Sequence, residues 1–266
     1  MYRSALINVM VLAARKAGRT LARDFGEVEN LQVSMKGPGD FVSAADRKAE
    51  KTLIEELSKA RPGYCFLTEE SGVIDGPDKT HRWIIDPLDG TTNFLHSFPL
   101  FGISIALERE GQLVAGVIYN PVLDELFTAE KGSGAFLNDR RLRVAARARL
   151  SDAMVICGIP HHGRPNPRQA FAEIEATAAK VAGVRRTGSA ALDLAFVAAG
   201  RADAYFERDL NAWDVAAGML IVREAGGFVT DFNGQDRIFE TGHIVAGNEA
   251  MQADLLKLLK GVKPAE

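Results

Sequence analysis

The chain has 266 residues, of which 47% are hydrophobic and 25% are charged, and its formal net charge is −3. These values are typical of a globular protein with a sizeable core, and they do not favour a nucleic-acid or membrane partner over a small molecule. The two cysteines, Cys65 and Cys157, are far apart and flanked by apolar residues, which argues against a disulfide framework or a zinc site. Free buried thiols indicate a reducing compartment, so we predict a cytoplasmic protein.

The first half of the chain predicts two helices followed by strands. The apolar run at 5–14 resembles the core of a signal peptide, but basic residues follow at helical spacing, which favours an amphipathic helix over 3–25. A second helix is predicted over about 43–60, ended by the proline and glycine at 62–63. Strands are predicted at 64–68, 83–85, 101–108, 112–119 and 125–129, with a polar loop at 72–82. Because the last three strands have no helices between them, they indicate an antiparallel sheet.

The second half alternates between strands and helices. Strands are predicted at 154–159, 202–207, 228–231 and 244–246, and helices at 166–182, 189–199, 213–225 and 249–260. This order predicts a layered α+β protein with two sheets. We treat residues 1–266 as one domain, with a half at about 1–150 and a half at about 151–266.

An acidic segment follows the apolar strand at 83–85 and reads Asp-Pro-Leu-Asp-Gly-Thr-Thr. Proline restricts the backbone around Asp86, Gly90 permits a sharp turn, and the two threonines can cap a short helix. Asp86 and Asp89 would then lie together beside a helix N-terminus, where two like charges require cations. Oxygen ligands favour Mg²⁺ over zinc, and a helix N-terminus offers N–H groups to phosphate. The alternative is a simple turn with an N-cap.

Two further acidic positions lie where elements begin or end. Glu69 and Glu70 follow the strand at 64–68, and Asp214 follows Trp213 at the start of an apolar helix. Taken singly, the first pair is typical of a solvated turn and Asp214 of a helix cap. Taken together with the segment at 86–92, they predict carboxylates that converge on two or three metal ions.

Other kinds of site find less support in the sequence. The five histidines have no zinc-ligand spacing, and the signatures of serine hydrolases, P-loop proteins and dinucleotide-binding proteins do not occur. Arginines at 140, 141, 143, 147 and 149 form a basic run. This run is typical of a solvated hairpin, and the more specific alternative is a surface that contacts RNA or another protein.

Four motifs resemble those of the inositol monophosphatase family. They are Thr-Glu-Glu-Ser at 68–71, Trp-Ile-Ile-Asp-Pro-Leu-Asp-Gly-Thr-Thr-Asn-Phe at 83–94, Arg-Arg-Thr-Gly-Ser-Ala-Ala-Leu-Asp at 185–193 and Trp-Asp-Val-Ala-Ala-Gly at 213–218. Their order and spacing match over most of the chain, and the residues of these motifs are most similar to those of the bacterial SuhB-type members. The resemblance implies an αβαβα sandwich of the inositol monophosphatase and fructose-1,6-bisphosphatase type, Mg²⁺ dependence, lithium inhibition and a homodimer.

By position, the resemblance also implies the metal ligands. Glu69, Asp86 and the Leu88 carbonyl would hold one Mg²⁺, and Asp86, Asp89 and Asp214 a second. Glu69 would help to hold a weaker third ion through water.

The resemblance further implies roles in catalysis and substrate binding. Thr91 and Asp46, with Glu69, would position the attacking water, although the segment that carries Asp46 has Ser43 where the family has threonine. Backbone N–H groups at 90–91 would bind phosphate oxygens. The positions implied in substrate binding are Lys36, Asp89, Gly90, Thr91, Gly188, Ser189, Ala190 and Glu207.

We therefore predict Mg²⁺-dependent hydrolysis of a polyol phosphate monoester, with inositol monophosphate as the substrate, by a water that the metal activates. Fructose 1,6-bisphosphate, histidinol phosphate and phosphoadenosine nucleotides are alternatives. Glu207 favours a polyol because a carboxylate accepts hydrogen bonds from vicinal hydroxyls. A regulatory role in ribosomal RNA transcription through protein or RNA contacts also stays open, and the basic run at 140–149 permits it.

Overall fold

The computed structural model describes residues 3–27, 33–37, 40–160 and 165–263, with the backbone alone between 33 and 42. The helices in this part of the chain are α1 (Ala5–Phe25), α2 (Ala44–Ala60), α3 (Thr91–Leu95), α4 (Pro167–Ala178), α5 (Ala190–Ala198), α6 (Ala212–Glu224), α7 (Ile238–Thr241) and α8 (Glu249–Lys260). Among these described helices, none is long and apolar enough to cross a membrane.

The strands form two sheets and a separate hairpin. The large sheet has the order β10-β9-β8-β7-β6-β5-β3-β4, the second sheet has the order β12-β11-β13-β15-β14, and the hairpin is β1-β2. The strands are β1 (Val33–Gly37), β2 (Asp40–Ser43), β3 (Tyr64–Thr68), β4 (Gly72–Ile74), β5 (Asp78–Asp89), β6 (Gly102–Arg109), β7 (Gln112–Asn120), β8 (Glu125–Glu130), β9 (Gly134–Leu137), β10 (Arg140–Arg141), β11 (Met154–Cys157), β12 (Gly183–Arg185), β13 (Ala204–Glu207), β14 (Phe228–Thr230) and β15 (Ile244–Gly247).

Successive side chains of a strand point to opposite faces of its sheet, and this alternation defines the layers of the fold. In β5, Ile85 packs with the α1 and α2 core on one face of the large sheet, whereas Ile84 packs with α5 and α6 on the other. Tyr205 of the second sheet joins the α5–α6 core, while Phe206 packs with α8 on the outer face. This order, helix–sheet–helix–sheet–helix, confirms the predicted layered α+β sandwich.

A glycine in the large sheet lets α6 lie directly on it. A Cβ at Gly116 in β7 would come within 2.9 Å of the Ala217 carbonyl oxygen and 3.2 Å of the Ala217 Cα. These distances are shorter than a Cβ allows. Because glycine has no side chain, α6 can lie this close to the sheet. The first turn of this helix carries Asp214.

The prediction of a loop at 72–82 is wrong. Residues 72–74 form β4, and β5 begins at Asp78. The polar start of β5 pairs with β6, with Arg82 opposite Glu108, and the Arg82 Nη2 lies 2.6 Å from the Glu108 Oε2. This cross-strand pair stabilises a strand that hydrophobic patterning does not reveal.

Candidate active site

The acidic segment of β5 is shaped by a β-bulge. Asp86 pairs with Ser104 and Asp89 pairs with Gly102 of β6, so two residues of β5 oppose one residue of its neighbour. The Asp86 Oδ1 accepts a hydrogen bond of 2.9 Å from the Leu88 N–H. Gly90 follows with φ of +92°, in the left-handed region where a side chain is strained, and α3 begins at the next residue. The bulge and the turn bring both aspartates to one end of the strand.

Thr91 does not cap α3 as predicted. The N-cap is Gly90, and no side-chain hydrogen bond caps this helix. The Thr91 hydroxyl instead lies 2.9 Å from the Asp46 Oδ1 and 3.1 Å from the Leu88 carbonyl oxygen. A hydroxyl has one proton to donate and keeps lone pairs that accept, so Thr91 can donate to one of these oxygens and accept from water.

Asp46 is fully buried in the first turn of α2. Its Oδ2 accepts hydrogen bonds from the Ser43 N–H at 2.8 Å and from the Ser43 hydroxyl at 2.5 Å. Burial raises the pKa of Asp46, and the hydrogen bonds from Ser43 and Thr91 oppose that rise. The Thr91–Asp46 pair predicted from the resemblance is thus in contact, and serine at 43 still completes the capping box.

Glu50 supports the neighbouring acidic loop, and sequence reasoning missed it. It lies one helical turn after Asp46 and is 3% exposed. Its Oε2 accepts the Glu70 N–H at 2.9 Å, and its Oε1 accepts the Ser71 hydroxyl. The signal was available in the sequence, because residues four apart share one helix face and Glu50 stands among the apolar positions of α2.

The predicted carboxylate ligands influence one another electrostatically. Burial raises the pKa of Asp86 well above its usual value, and the charges of Glu69, Asp89 and Asp214 raise it further. Burial raises the pKa of Asp89 to about 6, against hydrogen bonds that lower it. Burial and the charge of Asp89 likewise raise the pKa of Asp214. Ionisation of all these carboxylates together is therefore unfavourable unless a cation offsets their charges.

This set of donors fits a hard divalent cation, since it consists of oxygens and its mutual repulsion falls when a cation binds. As they are placed in the described part of the chain, no group of three or more Asp, Glu, His or Cys side chains could hold a metal ion without rearrangement. One oxygen of Asp89 faces the Ser189 hydroxyl, and one oxygen of Asp214 accepts the Asn211 N–H at 2.7 Å. The remaining oxygens are the ones that would take a metal.

The segment at 187–191 is joined to the acidic segment by hydrogen bonds. The Asp89 Oδ2 accepts from the Ser189 hydroxyl at 2.6 Å and from the Ala191 N–H at 2.7 Å. The Asn93 Nδ2 donates to the Thr187 carbonyl at 2.8 Å and to the Leu100 carbonyl at 2.6 Å. These bonds bring the predicted substrate segment, 188–190, to the carboxylates, although the Ser189 hydroxyl is directed at Asp89.

Glu207 ends β13 and reaches the same region. Its charge is among the causes that raise the pKa of Asp89 and of Asp214. Lys36 lies in β1, but its side chain is outside the described part of the structure. Both cysteines are buried and free, as predicted.

Comparison with known proteins decides the family. The sequence pattern of the inositol monophosphatase family matches residues 3–263. The chain belongs to the inositol monophosphatase family. Its members are metal-dependent phosphatases, so the chain is a phosphatase, and the predicted resemblance to this family is confirmed.

Relatives of known name resemble the chain over nearly its whole length. An inositol-1-monophosphatase of Mesorhizobium japonicum is 64% identical over 260 residues, covering 98% of each chain. The Nus factor SuhB of Escherichia coli strain K12 is 44% identical over 243 residues, covering 91% of each. The crystal structure of the extragenic suppressor protein SuhB from Bartonella henselae superposes with a TM-score of 0.95 at 60% identity, covering 97% of this chain and 99% of the other.

Proposed function

We propose that this chain hydrolyses inositol monophosphate to inositol and phosphate with Mg²⁺ as the metal. The proposal rests on the group of buried carboxylates at the bulge of β5, which lies beside the Thr91–Asp46 pair. The names of the relatives at 56–64% identity, inositol-1-monophosphatase, support the choice of substrate.

The metal ligands are proposed by position in the family motifs. Glu69, Asp86 and the Leu88 carbonyl would hold one Mg²⁺, Asp86, Asp89 and Asp214 would hold a second, and Glu69 would contribute to a third. Bound there, Mg²⁺ lowers the pKa of water and offsets the charge of the phosphate ester.

The side chains of Thr91 and Asp46 orient the attacking water. The Thr91 hydroxyl donates to the Asp46 carboxylate, which leaves the oxygen of Thr91 to accept a hydrogen bond from water. Because burial raises the pKa of Asp46, that carboxyl is suited to taking up a proton. Backbone N–H groups of Gly90 and Thr91 bind phosphate oxygens, and the family resemblance adds Lys36 to the substrate contacts.

The alcohol part of the substrate lies against the second half of the chain. Glu207 and the segment Gly188, Ser189 and Ala190 are proposed to meet the polyol hydroxyls. The Glu207 carboxylate offers acceptors and the backbone segment offers donors, and vicinal hydroxyls can pair with both.

The test is Mg²⁺-dependent phosphate release from a panel of esters: inositol, fructose, histidinol and nucleotide phosphates. Asp89→Asn and Asp214→Asn are expected to lower turnover at least about 100-fold, since each removes a charge from the metal site. Normal Mg²⁺-dependent turnover by either variant contradicts the assignment. Faster release from another ester than from inositol monophosphate contradicts the choice of substrate.

Three further properties belong to the same proposal: a homodimer, lithium inhibition and a cytoplasmic location. The family resemblance supports the first two, and the two free thiols support the third. Sedimentation of the purified chain tests the dimer, and rates measured with added lithium chloride test inhibition.

A regulatory role in transcription is the second candidate, supported by the Nus factor name of a relative that is 44% identical. The basic run offers exposed arginines for it, although Arg147 and Arg149 form ion pairs with Asp203 and Asp152. The test is whether the chain captures transcription elongation factors. Capture that Asp89→Asn keeps, and that Arg140→Ala and Arg143→Ala lose, supports a role apart from catalysis. Absence of capture excludes it.

A further inference from the structure

Two residues outside the family's proposed substrate contacts hold the carboxylate of Glu207. We propose that Tyr205 and Gly158 are positioning residues that fix the orientation of Glu207 and so determine the preference for a polyol phosphate. This inference rests on the proposed function, in which Glu207 meets the hydroxyls of the alcohol.

Tyr205 acts from the same strand. Residues two apart in a strand share one face, and the Tyr205 hydroxyl donates to the Glu207 Oε2 at 2.6 Å. Tyr205 is fully buried, so its ring cannot swing away. Burial and the charge of Glu207 raise the pKa of Tyr205 well above its usual value, which keeps the phenol protonated and able to donate. One end of the carboxylate therefore has a fixed donor.

Gly158 acts from the neighbouring strand. It follows β11, and its N–H donates to the Phe206 carbonyl at 3.2 Å, which places it beside the end of β13. A Cβ at Gly158 would lie 2.0 Å from the Glu207 Cδ and 2.3 Å from its Oε1. The glycine thus provides space that the Glu207 side chain fills. Since that side chain is flexible, alanine at 158 displaces the carboxylate rather than the backbone.

A held carboxylate is better at recognising neighbouring hydroxyls than a rotating one. Its oxygens accept hydrogen bonds, and each bond gains more when the acceptor does not lose rotamer freedom on binding. The phosphate is bound elsewhere, at the turn that begins α3. Displacing Glu207 therefore weakens recognition of the alcohol and leaves recognition of the phosphate in place.

The experiment compares two substrates in the full chain with Mg²⁺. One is inositol 1-phosphate and the other is 4-nitrophenyl phosphate, whose alcohol has no vicinal hydroxyls. Tyr205→Phe and Gly158→Ala are each expected to raise the ratio of the KM for the inositol ester to the KM for the nitrophenyl ester about 5- to 10-fold, which corresponds to the loss of one hydrogen bond of ordinary strength. Glu207→Gln gives the reference effect.

Matched controls carry the same chemical changes elsewhere. Tyr119→Phe removes a hydroxyl that donates to Asp124 at 3.0 Å, and Gly26→Ala adds a methyl group that meets nothing closer than 3.5 Å. Both are expected to leave the ratio of KM values unchanged.

The outcomes separate this inference from the proposed function. If Glu207→Gln raises the ratio but Tyr205→Phe and Gly158→Ala do not, the positioning role is wrong while the function stands. If the two variants lower turnover of both esters equally, their role is structural and the inference is overturned. If the wild type does not favour the inositol ester and Glu207→Gln has no effect, the proposed substrate is wrong. Should Tyr205→Phe fail to fold, Gly158→Ala is the deciding variant, because the three atoms nearest its methyl group all belong to the Glu207 side chain.

Discussion

Single side chains on one face of α2 connect the predicted catalytic pair to the predicted metal loop. Asp46 holds the Thr91 hydroxyl, and Glu50, one turn later, holds the backbone of Glu70 and the hydroxyl of Ser71. Both carboxylates are buried, although these three donor residues are partly or fully exposed. The distance between Thr91, which is proposed to orient water, and the loop that carries Glu69 therefore depends on α2, a helix that supplies no proposed metal ligand.

Glu50→Gln is expected to weaken activation by Mg²⁺. The glutamine side chain keeps one oxygen that can accept from the Glu70 N–H or the Ser71 hydroxyl, but its N–H₂ group cannot accept from the other. The loop that carries Glu69 therefore loses one hydrogen bond to a charged group. We expect the Mg²⁺ concentration for half-maximal rate to rise about 3- to 10-fold, with most of the maximal rate regained at high Mg²⁺. Initial rates against Mg²⁺ concentration measure this. Glu175→Gln, an exposed change on α4, is the control, and an unshifted activation curve for Glu50→Gln contradicts the role.

At the scale of elements, the position of Asp214 depends on how closely α6 lies on the large sheet. The helix packs against β7 at Gly116, and on its other side Gly218 faces Leu194 of α5, where a Cβ would come within 2.5 Å of the Leu194 Cδ1. Two glycines therefore allow α6 to fit between a sheet and a helix. Because Asp214 is in the first turn of α6, a shift of the helix moves a proposed metal ligand.

Gly116→Ala tests this packing. The added methyl group meets the backbone of Ala217, which cannot rotate away, so α6 must move outward. We expect a loss of about 1–3 kcal/mol in the free energy of unfolding, the usual cost of overpacking a core. Activation by Mg²⁺ should weaken as well. Urea unfolding measures the first effect, and rates measure the second. A stability equal to that of Gly26→Ala would show that the contact does not constrain the helix.

The elements also show what the sequence can and cannot predict. Apolar periodicity located α1, α8 and the central strands to within a few residues, because burial determines those patterns. It missed β4 and the polar start of β5, where the strand is held by pairing and by the Arg82–Glu108 ion pair. Motif spacing predicted that Asp86, Asp89 and Asp214 would meet. It did not predict Glu50, Tyr205 or Gly158, whose roles depend on contacts between elements that are distant along the chain.

At the scale of the whole molecule, the proposed active site lies where the two predicted halves of the chain meet. Asp89 from the first half accepts hydrogen bonds from Ser189 and Ala191 of the second half, and Asn93 donates to the Thr187 carbonyl. Asp214 and Glu207 come from the second half as well. The site therefore forms only when both sheets are in place, and binding of a cation should stabilise the entire fold.

This coupling predicts that stabilisation by Mg²⁺ depends on pH. Below the ordinary aspartate pKa of 3.8, Asp89 is protonated in both the folded and the unfolded chain, so it does not affect the balance. Between 3.8 and its folded pKa of about 6, the unfolded chain releases the proton while the folded chain keeps it, so the metal-free fold loses stability as pH rises. Asp86 and Asp214 have pKa values raised in the same direction and add to the loss.

Mg²⁺ opposes this loss, because it binds the ionised carboxylates of the folded state and must displace protons at low pH. We expect the rise in Tm on replacing EDTA with Mg²⁺ to be larger at pH 7.5 than at pH 5, at equal ionic strength. Thermal unfolding at both pH values measures it. Asp214→Asn removes one of the repelling charges, so its metal-free form should lose less stability as pH rises and gain less from Mg²⁺. An equal Tm rise at the two pH values would show that these carboxylates are not the ones that hold the metal.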